Sequence, residues 1–103
     1  MGMSLPFIRE PSAVPTLSDL VGAANVNIRR GAAAALRNTQ DRAAIKPLAR
    51  ALNDTDPEVQ YQAVIGLAEI TGAPSEWSPA SETFEKAPQL YLDYWREWAK
   101  SRE

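Results

Sequence analysis

Residues 54–72, DTDPEVQYQAVIGLAEITG, carry the most complete helical pattern in the chain. At 3.6 residues per turn, Val59, Ala63, Gly66, Leu67 and Ile70 share one face. Tyr61, Val64, Ile65 and Ala68 form a second apolar face, and Glu58, Gln62 and Glu69 make the polar strip. Asp56 is a good N-cap, Pro57 suits the first helical position, and Glu58 favours the positive end of the dipole. Gly72 supplies the stop. A helix apolar on two sides needs cover from two directions, which the remaining segments must provide.

The same reading predicts further helices and turns on either side. One helix runs from a Ser12 cap to about Val21, with Val14, Leu17, Leu20 and Val21 on its apolar face and Pro15 tolerated in the first turn. A second runs from Val26 to Arg37 behind an Asn25 cap, with Ile28, Ala32, Ala35 and Leu36 inward. Its run of Gly31 and four alanines keeps it thin, so a neighbour can approach closely. A third, capped by Asp41, covers Arg42 to Leu52 with Ile45, Leu48, Ala49 and Leu52 inward, and Pro47 should shorten or kink its first part. Residues 73–87 hold Pro74 and Pro79 and leave room only for a short turn near Phe84, capped by Ser78 or Ser81. The last helix starts near Pro88 and ends near Lys100, with Leu90, Tyr91, Tyr94, Trp95 and Trp98 in one stripe.

Two stretches superimpose under one fixed offset, the one that carries Ala13 onto Ala44. Val14, Leu17 and Val21 then fall on Ile45, Leu48 and Leu52. Asn25, Ile28, Ala32 and Leu36 fall on Asp56, Val59, Ala63 and Leu67. A gapless period through two helices and their turn means stacked helix-turn-helix units. The segments AIKPLARALNDTDPEVQYQAVIGLAEITG (44–72) and NVNIRRGAAAAL (25–36) resemble the short HEAT-like repeats named from bilin lyases of phycobilisomes and widespread in bacterial proteins. The resemblance covers about residues 12–72. It implies an all-α fold, a short α-α solenoid of about two helix-pair repeats. It also implies a ladder between repeats, with Arg29 as the arginine and Asp54 or Asp56 as the acid. Gln60 stands at the second arginine position, so the ladder should stop there. Three parts are expected: an irregular lead-in at 1–11, two repeats at 12–72, and a loop with a capping helix at 73–103.

The aromatic stripe of the last helix reads best as the cap that hides the open end of the solenoid. Trp95 and Trp98 are then expected against Val64, Ile65 and Ala68, and Trp98→Ala should cost on the order of 3–5 kcal/mol. A ligand or bilin platform is the other reading of the stripe. The run ITG, a loop and YLDYWREW also resembles the C-terminal end of many bacterial HEAT-repeat proteins, which implies a small stand-alone member or a C-terminal module.

Composition narrows the chemistry. The 103 residues contain no Cys and no His, which removes thiol chemistry and the commonest general base and metal ligand. No acid–base constellation, phosphate loop or dinucleotide fingerprint is present, so no catalytic residue, cofactor or metal is expected. Asp54, Asp56 and Glu58 read as turn and capping residues rather than a metal site. No apolar run is long enough to span a bilayer. The cytoplasm is the expected compartment, with the periplasm an alternative if an upstream signal has been removed. Net charge is −2, but residues 1–50 carry seven basic and three acidic groups, and residues 51–103 four basic and ten acidic.

These features predict a non-enzymatic protein-interaction module or small scaffold. Its contacts are expected on the second helix of each repeat, at Arg30, Arg37, Tyr61, Gln62 and Glu69. Homo-oligomerisation is a subsidiary form, since two repeats leave one end poorly covered. The alternative is nucleic-acid binding through Arg29, Arg30, Arg37, Arg42 and Lys46, should they share a face, as on the basic concave face of HEAT-like DNA glycosylases. A bilin-lyase-like accessory role, drawn from the family name alone, is the third.

Overall fold

The computed structural model of the chain describes residues 13–101, and all regular structure among them is helical. The helices are α1 (Ala13–Leu20), α2 (Val26–Thr39), α3 (Ile45–Ala51), α4 (Pro57–Thr71), α5 (Ser81–Lys86) and α6 (Pro88–Ser101). The expected Ser12 cap and the lead-in at 1–11 lie outside the described residues. α1 packs on α2 and α3 on α4, and the two pairs join chiefly through α2 against α4. This is a HEAT-like α-α stack.

Local chemistry sets the helix ends where the pattern placed them. Asn25 Oδ1 accepts from the backbone N–H groups of Asn27 (2.8 Å) and Ile28 (3.3 Å), opening α2. Asp56 Oδ2 accepts from the Val59 N–H at 3.0 Å, opening α4 on Pro57. Gly72 closes α4 at φ 70°, a left-handed conformation that glycine adopts at no steric cost. α2 runs past the expected Arg37, to Thr39, and stops at Gln40 with φ 52°. The Gln40 side chain donates to the Arg37 carbonyl at 3.0 Å, which supports that unusual turn. Pro47 shortens its helix as expected: Arg42–Ala44 form a single 3-10 turn, capped by Asp41, and α3 begins only at Ile45. Pro47 then sits in the first turn, where no helical hydrogen bond is lost.

Within the two repeats the core is built from small and medium side chains. Leu36, Leu48, Leu52, Val59, Val64 and Leu67 are fully buried, with Ala32, Ala33, Ala44, Ala51, Ala63 and Ala68 between them. Alanine and glycine at the α2–α4 junction let the helices approach closely. Gly66 marks the tightest point. A Cβ there would lie 2.9 Å from Leu48 Cδ1 and 3.2 Å from Arg37 Cβ. Three inward assignments change. Leu20 on α1 is 39% exposed. Ile28 is 45% exposed, and Ala33 is buried while Ala35 is only half covered. α2 is turned toward α4 and α1 by the partners available, so its first-turn isoleucine points away from both.

The cap forms, but with its face rotated. α6 lies against both α3 and α4. Trp95 is 1% exposed and Tyr91 and Leu92 are buried, whereas Leu90 is 55% exposed. Leu92 thus replaces Leu90 in the core. Trp98 is only partly buried at the edge of that core, so the expectation that it is buried as fully as Trp95 is corrected. The loop supplies the missing cover. Trp77, in a 3-10 turn at Ser75–Trp77, stacks on Tyr94 with centroids 3.9 Å apart and planes 6° apart. The Trp77 carbonyl accepts from Trp95 Nε1 at 3.2 Å. Phe84 on α5 is buried against Tyr61 and Tyr91. Ser81 is the first residue of α5, and neither it nor Ser78 caps that helix by its side chain.

Candidate functional site

The α2–α4 junction is held by a ladder of three arginines. Arg29 Nε donates to Asp54 Oδ2 at 2.8 Å, and its Nη1 donates to the carbonyls of Ala23 (3.0 Å) and Ala24 (2.9 Å). Arg30 grips Asp56 in a two-pronged pair, Nε to Oδ2 at 2.9 Å and Nη2 to Oδ1 at 2.7 Å. Arg37 grips Glu69 the same way, with both bonds at 3.0 Å, and its Nη1 donates to Gln62 Oε1 at 3.2 Å. Gln62 in turn donates to Glu58 Oε2 at 2.9 Å. The planar guanidinium fork matches a carboxylate in this geometry, which fixes direction as well as charge.

The same arrangement shifts the acids and bases involved. The hydrogen bond from Arg30, helped by the Val59 N–H, holds the Asp56 carboxyl down at about 2. Arg30 and Arg37 are pushed above the ordinary arginine value by their hydrogen bonds to Asp56 and Glu69. Burial raises the Tyr61 phenol.

The structure brings Arg30, Arg37, Gln62 and Glu69 onto one edge of the α2–α4 pair, each hydrogen-bonded across the junction or within it. Tyr61 lies close enough to feel the charges of Arg37 and Glu69, but it is engaged elsewhere. Its hydroxyl donates to the Pro79 carbonyl at 3.0 Å and its ring packs on Phe84, so it fastens the cap rather than standing out as an anchor. Of the basic set, Arg29, Arg30 and Arg37 point into ion pairs with Asp54, Asp56 and Glu69. Arg42 and Lys46 lie apart from them, on the 3-10 turn and on α3. The acids Asp54 and Asp56 are occupied by arginines and backbone N–H groups.

A second feature lies between α3 and α6. A cleft of about 720 Å³ is lined by Lys46 and Arg50 on one side and Arg96 and Lys100 on the other, with Ile45, Ala49 and Ala99 in its floor. Arg96 fixes the two helices relative to each other: its Nε donates to Asn53 Oδ1 at 3.0 Å and its Nη2 to the Leu52 carbonyl at 3.1 Å. Arg50 donates to Ser18 Oγ on α1. Sequence reasoning did not assemble this group. Its signal was the i, i+4 spacing of Lys46 with Arg50 and of Arg96 with Lys100, but nothing in the sequence joins the two pairs.

The family model for HEAT repeats matches residues 1–68. The chain belongs to the HEAT-repeat family. No curated protein and no solved structure matches it. HEAT repeats generally mediate protein–protein interaction and are generally non-enzymatic. In this HEAT-repeat chain the ladder residues are confined to one junction. The repeat offset carries Asp54 and Asp56 back onto Ala23 and Asn25, and it carries Arg29 and Arg30 forward onto Gln60 and Tyr61. No described helix is long and apolar enough to cross a membrane.

Proposed function

We propose that this chain is a non-enzymatic protein-interaction module that presents the outer edge of α2 and α4 to a protein partner. One observation carries the reading. Arg30, Arg37, Gln62 and Glu69 are held in fixed orientations by hydrogen bonds, yet the Arg30, Arg37 and Glu69 side chains keep 44%, 31% and 38% of their surface exposed. Side chains already ordered lose less entropy on binding, so such an edge is preorganised for recognition. Among the described residues Arg30 uses only Nε and Nη2, both on Asp56, which leaves Nη1 for a partner's acceptor. The test is capture with the intact chain as bait, followed by reconstitution with the purified partner. A partner that binds the wild type and loses affinity on Arg30→Ala or Glu69→Ala supports the reading. Recovery of no protein at any salt concentration overturns it.

Self-association is a subsidiary form of the same function. Leu20 and Ile28 are the large apolar side chains exposed on the first repeat. Light scattering that shows a monomer at high concentration removes that form.

A further inference from the structure

We infer that the cleft between α3 and α6 is a second docking site, and that it takes an acidic amphipathic helix from a protein partner. The inference rests on the reading of the chain as a protein-binding frame, and it adds a different surface and a class of ligand.

The lining is one-signed. Lys46, Arg50, Arg96 and Lys100 contribute four cations, and no described carboxylate lines the cleft. The acids nearest in sequence, Asp93 and Glu97, stand on another face of α6, beside Trp77, Tyr94 and Trp98. They neutralise the cleft only in part. Asp93 reaches Arg96 at 3.5 Å, and Glu97 reaches Lys100 at 3.8 Å with both side chains about three-quarters exposed. Exposed pairs of that kind are weak and easily exchanged. Lys46 has no acidic partner among the described residues.

The cations form two rows on facing helices. Lys46 and Arg50 are one turn apart on α3, and Arg96 and Lys100 one turn apart on α6. Between the rows, Ile45, Ala49 and Ala99 make a floor of short aliphatic side chains. A charged rim on both sides of an apolar floor complements a helix with an aliphatic ridge flanked by carboxylates. Arg96 is already tied to Leu52 and Asn53, so the far wall is rigid before any ligand arrives.

A nucleic acid fits this cleft less well. The lining holds no aromatic ring for base stacking.

The test uses fluorescence anisotropy with the full chain. The probe is a labelled synthetic helical peptide carrying a Leu/Ala ridge and Glu on both flanks. Controls are the same peptide with Lys for Glu and a single-stranded oligothymidine. The acidic peptide should bind, with affinity at least tenfold above the Lys peptide. The double variant Lys46→Glu/Lys100→Glu should weaken it at least tenfold while the melting midpoint holds. The neutral pair Lys46→Gln/Lys100→Gln should weaken it several-fold, and it serves as the test if charge reversal lowers the melting midpoint. An acidic peptide that fails to bind, binds the variants unchanged, or binds less tightly than the oligothymidine overturns the inference. A natural partner that is lost on Arg30→Ala but kept by the double variant supports the α2–α4 edge, so failure of the acidic peptide to bind then overturns the cleft and leaves the protein-binding reading standing. No partner for the wild type at all overturns both.

Discussion

Arg29 and Gln60, which hold the same position in successive repeats, do the same thing to their own repeats and different things to their neighbours. Each reaches back to the carbonyl of the turn before its helix: Arg29 Nη1 to Ala23 at 3.0 Å, Gln60 Nε2 to Asp54 at 2.6 Å. Only Arg29 goes on to a carboxylate, Asp54, in the next repeat. The internal brace of the repeat is therefore separable from the link between repeats. Arg29→Gln should keep the brace and lose the link. Arg29→Ala should lose both and leave a largely buried Asp54 carboxylate without its arginine. We expect losses of about 1–2 kcal/mol for the glutamine and about 2–4 kcal/mol for the alanine variant. Urea denaturation of both variants orders them, and equal losses would show that the brace adds nothing beyond the link.

Gly66 and Gly31 should respond to alanine with opposite signs. Both are in helix interiors, where alanine is favoured by about 1 kcal/mol. At Gly31 no atom lies within 4 Å of the added Cβ, so that gain should appear. At Gly66 the Cβ meets buried Leu48 and the backbone-anchored Arg37 Cβ, and overpacking costs about 1–3 kcal/mol. The expected net at Gly66 is a loss. Denaturant midpoints of the two single variants decide it.

Trp95 should outweigh Trp98 in the cap. Trp95 is enclosed and its indole N–H bonds the Trp77 carbonyl, so Trp95→Ala should cost about 3–5 kcal/mol. Trp98 sits at the edge of the core and should cost about half as much on truncation. A larger loss at Trp98 in thermal or urea melts would reverse this assignment.

Stability should fall on acidification through the Arg30–Asp56 pair. The folded-state Asp56 value of about 2 lies below its ordinary value of 3.8, so its contribution is fully present above about pH 4. It declines as pH drops from there through 2. Arg30→Ala should flatten the stability profile in that window while changing little of its shape above pH 5. Urea midpoints between pH 2 and 6 measure both.

Much of this fold was legible in the sequence because its signals are local. Asn25, Asp41, Asp56, Pro57 and Gly72 act on backbone groups close by in the chain, so the helix starts and stops follow from them directly. The repeat offset was legible because each repeat solves the same packing problem. The Arg29–Asp54 link came from the family resemblance, and the structure bears it out. The face that a helix turns inward was not determined in the same way. Leu90 and Leu92 are equally apolar, and only the position of α6 across α3 and α4 places Leu92 inside and Leu90 outside. Tyr61 likewise has two ways to turn, and the Pro79 carbonyl and Phe84, brought in by the loop, select one. The cleft lay furthest from reach. Lys46 and Lys100 belong to opposite halves of the sequence, and no local preference joins them. Their meeting depends on the docking angle of α6, which the Arg96 bonds to Leu52 and Asn53 hold in place.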